Sequence, residues 1–301
     1  MSDKTLGEAF GAAIDGLSQP QFGHLVGIGM AINGDRRLGG PAPDQVTNTF
    51  SVTKTVLAWA ILEAVRLGVF SDLEEVITVA APPECGATPR SLLWMAHSWH
   101  QEPDMDALEV LPHDPLPLIV SAMGGPSYGT GSYVNAGMHV MIRELQHRTG
   151  SAAAFVDQTV LAPAGIHDYL WEVDPLGVPW GFAHLHLSVH DLLRLGQHRL
   201  HDESIAPNEP PPSPAMPPEC LPYAAGMWRG DGFLMAAGWG GQCMMLLPRA
   251  DAVLVTLAST GWDRATNTDL LPDGWGSGRQ LLERHVLPVL LAGSCAGDTT
   301  R

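Results

Sequence analysis

The segment Ser51 to Leu67 constrains this chain most. It is continuous helix-forming sequence, and Gly68 stands where a left-handed residue would end it. Val52, Val56, Leu57, Ala60, Ile61, Ala64 and Val65 cover most of its circumference. A helix so nearly apolar all round has no face for water, so it is expected at the centre of the molecule. Lys54 breaks the pattern in the first turn. The chain of 301 residues holds only one other lysine, Lys4, and otherwise uses arginine. A charge at Lys54 would be costly to bury unless partnered or neutralised.

Around this helix the pattern runs from strands to helices and back to strands. After a helical lead, Leu6 to Leu17, the apolar run His24 to Ile32 reads as a strand. Asn33-Gly34 is a tight hairpin turn, and Arg36 to Gly40 returns as the second strand. From Ser71 to about Leu200 helices alternate with long loops. The helices expected are Ala136 to Arg148, Ala152 to Leu161, and one from the capping box Ser188-x-x-Asp191 to about Arg199. The segment 206–222, with Pro210-Pro211-Pro212, is too proline-rich for regular core structure and reads as an exposed, partly polyproline-like loop. Strands return at Phe233 to Ala237, Cys243 to Leu247 and Ala252 to Ala258, with a turn at Pro248 to Asp251 before the last, and Gln280 to Leu291 is a closing helix. This order predicts an α/β (α+β) fold. One antiparallel sheet comes from both chain ends, residues 1–50 and 225–301, flanked by helices, and the helical region 51–224 is inserted between the sheet halves.

A formal net charge of −16 argues against a nucleic-acid partner, whose phosphates need a basic surface, and against anionic membranes. The opening Met1-Ser2-Asp3-Lys4-Thr5 has no apolar h-region, and no later run is long and apolar enough to span a bilayer. A soluble, cytoplasmic protein is expected, its oligomeric state open. Cys85, Cys220, Cys243 and Cys295 form no C-x-x-C pair and are expected to be reduced, small apolar core residues.

Three short pieces carry chemistry. In Ser51-Val52-Thr53-Lys54, the spacing of three puts hydroxyl and amine on one side of a helix. A serine becomes a nucleophile when a neighbour takes its proton, and a lysine can do so once desolvation lowers its pKa. At the helix start, Ser51 also faces the positive end of the helix dipole. The bland alternative is a chance S-x-x-K. In Tyr133-Val134-Asn135, the phenol is a candidate proton relay and the amide a candidate substrate ligand. The bland alternative is a loop tyrosine with Asn135 as a helix cap. In Trp239-Gly240-Gly241-Gln242, glycines within a strand let a ligand approach an edge that offers a main-chain N–H. A simple β-bulge is the alternative.

S-x-x-K followed by Y-x-N and then W-G-G resembles the penicillin-recognising serine enzymes. The relatives most resembled are class C β-lactamases, D-alanyl-D-alanine carboxypeptidases, family VIII carboxylesterases and 6-aminohexanoate-dimer hydrolases. The resemblance covers most of the chain and implies a β-lactamase/transpeptidase-like fold. It implies that Ser51 is acylated, that Lys54 assists its deprotonation, and that Tyr133 exchanges protons with nucleophile and leaving group. Asn135, Trp239, Gly240 and Gly241 would then contact substrate, and the N–H groups of Ser51 and Gln242 would form the oxyanion hole. It implies a small-molecule ester or amide as partner and neither cofactor nor metal. Trp239 departs from the β-lactamase pattern, which has at that place a cation to pair with the penicillin carboxylate. Esters or amides without that carboxylate fit better.

Other signals compete. Gly125-Pro126-Ser127-Tyr128-Gly129 satisfies the nucleophile elbow G-x-S-x-G but lacks a strand before it and a helix directly after it. His184-Leu185-His186, with His190 and Asp191, faintly resembles a zinc cluster, although Asp191 is better explained as a capping residue. Trp94, Trp99, Trp171 and Trp180 are expected to pack the helical block, with one or two available to line an acyl pocket. Beside hydrolysis, an amide-forming transacylase and a catalytically silent scaffold remain open.

Overall fold

The computed structural model of the chain describes residues 3–78, 85–124, 133–202, 204, 213, 215, 219–259 and 276–290. The chain divides into two compact units. One comprises Met1–Val52, His186–His201 and Gly230–Arg301, the other Thr53–Leu185 and Asp202–Arg229.

The first unit is built on an antiparallel sheet drawn from both ends of the chain. Its strands, in order across, are Asp35–Gly39, Leu25–Ile32, Ala252–Ala258, Gln242–Leu247 and Phe233–Gly238. The ends of the chain meet where Met30 lies opposite Leu254 and Ile28 opposite Thr256. Asn33 (φ 49°) and Gly34 (φ 88°) both take the left-handed conformation that a two-residue hairpin with right-twisted strands requires. All eight residues of Leu25–Ile32 are buried. Both sheet faces are covered, so the strand reads as a continuous apolar run rather than an alternating one. The helices Asp3–Leu17 and Val189–Arg199 both pack on it. Val189–Arg199 starts with the expected capping box, Ser188 Oγ accepting from Asp191 N–H at 3.1 Å and the Asp191 carboxylate accepting from Ser188 N–H at 3.1 Å.

The second unit is mainly helical. Val52–Arg66 is buried on every side from Val52 to Ile61, as a helix apolar all round must be. Ala136–Thr149 ends at Gly150 (φ 78°), and Ala152–Val156 continues into a wider π-turn, Asp157–Leu161. The short helices Pro89–Leu93, Met105–Glu109 and Leu116–Ser121 lie between, each too brief to leave a periodic signature. A part-buried polar network runs from Ala136–Thr149. Arg143 Nη1 donates to Asp174 and to Asp114 at 2.8 Å each, and His139 Nε2 lies 3.3 Å from Asp174.

Two expectations need correction. Of the cysteines, Cys243 is a core residue, but Cys85 is half-buried and Cys220 exposed; none of these three is in a disulfide. Cys295 lies outside the described residues. The glycines of Trp239-Gly240-Gly241 sit not within a strand but in a single 3-10 turn between two strands, because Gly240 (φ 81°) and Gly241 (φ 98°) leave the extended region. Most of the proline-rich segment 206–222 lies outside the described residues, although Ser213 is buried and bonds the main chain of Tyr223. Among the described residues, no helix is long and apolar enough to cross a membrane.

Candidate active site

The residues singled out from the sequence fall into two groups, one in each unit. Ser51, Trp239, Gly240, Gly241 and Gln242 belong to the sheet unit. Ser51 immediately precedes Val52–Arg66 and is 8% exposed. The approach to it is tightly shaped. Phe50 is held left-handed (φ 45°), a conformation uncommon outside glycine and costly for a bulky side chain. Its N–H donates to Asn48 Oδ1 at 2.8 Å, and Val52 N–H donates to the Thr49 carbonyl at 3.1 Å. The last residue of the neighbouring strand, Gly238, lies against this turn. A Cβ there would collide with the Thr49 carbonyl and sit 3.2 Å from Ser51 N. Trp239 follows, half-buried and edge-on to Phe50 at 5.4 Å between centroids. The turn is then pinned from behind. Gln242 Nε2 donates to the Ala258 carbonyl at 3.0 Å and its Oε1 accepts from Ala258 N–H at 2.8 Å, while Thr256 Oγ1 donates to the Gly241 carbonyl at 2.8 Å. The Gln242 side-chain amide is thus committed to the sheet.

Lys54, Tyr133 and Asn135 belong to the helical unit. Lys54 is fully buried, and its Nζ donates to the Phe182 carbonyl at 2.9 Å. The same nitrogen stands 5.0 Å from the centroid of the Tyr133 ring and 6.0 Å from that of Phe182. Burial pushes the Lys54 amine well below its usual pKa, against the opposing charge of Glu102. A neutral amine can donate one hydrogen to a carbonyl and still hold a lone pair to accept a proton. Asn135 begins Ala136–Thr149 without a capping bond from its side chain; its N–H donates to Glu102 Oε1 at 3.3 Å. Asn135 thus holds the N-cap position without capping through its side chain.

Tyr133 packs against a hairpin that none of the three motifs includes. Tyr223–Ala224 pairs with Met227–Gly230, with Tyr223 opposite Trp228. Trp228 stacks on Tyr133 (5.4 Å, 14°), and Tyr223 meets it edge-on (5.5 Å, 85°). The hairpin docks on the first turns of the central helix. Thr55 Oγ1 donates to the Gly226 carbonyl at 2.6 Å, and a Cβ at Gly226 (φ 79°) would lie 2.9 Å from the Lys54 carbonyl. Phe182, Gly238, Tyr223, Trp228 and Glu102 are thus the neighbours that the motifs did not name.

The competing signals resolve unequally. Ser127 and its G-x-S-x-G lie outside the described residues. His184 takes a left-handed conformation (φ 69°), its Nε2 lying 2.8 Å from Glu109 and its Nδ1 3.7 Å from Glu172. Burial alone would lower its pKa, but the two carboxylates outweigh it and hold the imidazole up at about 9. A proton kept that firmly is an ion-pair partner rather than a metal ligand. Trp94, Trp171 and Trp180 are buried, and Trp180 packs on Phe182 at 5.6 Å, beneath the carbonyl that receives Lys54. Trp99 is half-buried beside His97.

No family model matches the chain, and no curated protein matches its sequence. Solved structures do match. A D-amino acid amidase from Ochrobactrum anthropi SV3 is similar with a TM-score of 0.72 at 16% identity, over 97% of this chain and 100% of that one. A protein described as a 6-aminohexanoate-dimer hydrolase from Bacillus anthracis gives 0.68 at 16%, over 90% and 80%. A β-lactamase from Mycobacterium bovis gives 0.62 at 19%, over 93% and 100%. At such identities the likeness shows the fold, which is that of the β-lactamases and penicillin-binding proteins.

Proposed function

We propose that the chain is a serine-dependent acyl hydrolase or acyltransferase that acts on a small-molecule ester or amide through a Ser51 acyl-enzyme. The observation that carries this reading is the state of Lys54. The only lysine beyond the fourth residue is fully buried, three residues after a serine at the head of a helix, and its surroundings favour the neutral amine. In this reading Lys54 takes the Ser51 proton as the hydroxyl attacks the carbonyl. The Ser51 N–H, with that of Gln242, receives the oxyanion beside the positive end of the helix dipole. Tyr133, against Lys54, hands a proton to the leaving oxygen or nitrogen, and Asn135 orients the acyl side. Water or an amine then releases the acyl group. Trp239, packed on Phe50, offers an apolar surface where a substrate carboxylate would want a cation, which favours neutral substrates. The names of the amidase and the dimer hydrolase among the structural neighbours point the same way, toward amides.

A fluorophosphonate probe tests the nucleophile. The protein should be labelled, and Ser51→Ala should lose the label. Labelling that survives Ser51→Ala and disappears in Ser127→Ala would overturn the assignment, and no labelling at all would favour a silent scaffold. Product mass spectrometry with and without a competing amine separates hydrolase from transacylase. A panel of p-nitrophenyl esters, small amides and nitrocefin tests the substrate class, with slow nitrocefin turnover expected.

A further inference from the structure

The Tyr223–Trp228 hairpin holds a second phenol beside the first. Tyr223 is 1% exposed, and among the described residues its hydroxyl makes no hydrogen bond of regular geometry. Leaving a buried donor unsatisfied is expensive, so such a group in a native interior calls for an explanation. The group it faces is Tyr133, whose charge and hydrogen bonding add to the effect of burial in raising the Tyr223 pKa well above its usual value. Tyr223 therefore keeps its proton beyond the ordinary tyrosine range. The main chain of Tyr223 is fixed as well, its N–H donating to Ser213 Oγ at 3.0 Å and its carbonyl accepting from Ser213 Oγ at 3.1 Å.

We propose that Tyr223 is a positioning residue for Tyr133, its hydroxyl donating a hydrogen bond to the Tyr133 oxygen whenever that oxygen is a phenolate. The inference rests on the reading of Tyr133 as a proton-transfer partner. When Tyr133 passes its proton to the leaving atom, the phenolate left behind is a stronger acceptor for the Tyr223 hydroxyl than the neutral phenol of the resting state. Tyr223 transfers no proton and keeps its own throughout. Tyr133 is reprotonated when the incoming water or amine gives up a proton, and the hydrogen bond relaxes. Hydrogen bonds to ionised groups are the strong ones, and catalytic contacts often tighten only as charge develops. Trp228 contributes the flat surface that fixes the Tyr133 ring, not a donor to its oxygen. Among the described residues, the titratable groups beside Tyr133 include Lys54 from the helix Val52–Arg66 and, acting on Lys54, Glu102, which also bonds the main-chain N–H of Asn135.

Tyr223→Phe keeps the ring and removes only the donor. The chain holds four tyrosines, and Tyr169 is pushed up to about 12, so a tyrosinate difference spectrum can isolate the Tyr133 transition. Tyr133→Phe identifies it by deleting it. In Tyr223→Phe that transition should move up by about one to two pH units, and kcat should fall about tenfold with KM little changed. An unmoved transition and unchanged kcat, in a background where Tyr133→Phe is inactive, would overturn the role of Tyr223 while leaving that of Tyr133 intact. If Tyr133→Phe keeps full activity, the underlying reading fails and this inference with it. Trp228→Phe guards against a packing effect: an equal shift there would mean that loosened rings, not a lost donor, moved the transition, and would also overturn the proposal.

Discussion

Around Ser51 the sheet unit presents mostly main chain, whereas around Lys54 the helical unit presents mostly aromatic rings. Ser51 sits after a left-handed Phe50 and against the bare Cα of Gly238. The amine is fully buried among Tyr133, Phe182 and a carbonyl. Backbone geometry is stiff and does not titrate, so it suits the fixed placement of a hydroxyl and of amide donors. Side-chain burial sets a protonation state, so it suits the group that must exchange protons. Damage to the two surroundings should therefore look different.

The largest effect is expected on the lysine side. Lys54→Met should lower the acylation rate by about 10²- to 10⁴-fold, the range of a lost general base. Its thermal stability should be unchanged or slightly raised, since an apolar side chain replaces a buried amine. Retained activity with a large loss of stability would make Lys54 a structural residue and dissolve the contrast. On the backbone side, Gly238→Ala should cost about 1–3 kcal/mol in a denaturant melt, because the added methyl collides with the Thr49 carbonyl. Its remaining activity should keep the wild-type pH profile, and a displaced profile would show that the two surroundings are coupled.

The smallest effect concerns His184. Its imidazole is held up at about 9, above the ordinary value near 6.5, so the stability it contributes is fully present below about pH 6.5 and is lost as pH rises through about 9. Melting curves across that window should fall by at most about 1 kcal/mol per pH unit, and His184→Gln should flatten the fall. A wild-type curve with no slope there would place the protonated ring outside the stability of the segment that carries the Phe182 carbonyl.

Elements with long or unambiguous local signals were legible in the sequence. Ser51 to Leu67 reads as a buried helix and forms one over Val52–Arg66; Asn33-Gly34 reads as a turn and is one; Ser188-x-x-Asp191 reads as a cap and is one. The neighbours of the candidate residues were less legible, for reasons specific to each. The Phe182 carbonyl that receives Lys54 belongs to the main chain, which carries no residue-type signal. Gly238 precedes the motif that drew attention to that turn, and its need for a bare Cα comes from a turn nearly two hundred residues away in the chain. Tyr223 and Trp228 lie on strands too short to show alternation, and only pairing brings them together beside Tyr133. Asn135 stands at the N-cap position as its residue type suggests, and only the geometry shows that its side chain makes no capping bond.

The burial of Lys54 also makes the protein unusually easy to interrogate. With only Lys4 as companion, isotopic labelling of lysine yields a two-line spectrum, in which the interior line reports the charge on one nitrogen through turnover. An acylating reagent added from outside finds the Lys54 amine shielded by its own packing. The chain thus carries a built-in reporter of its proton inventory.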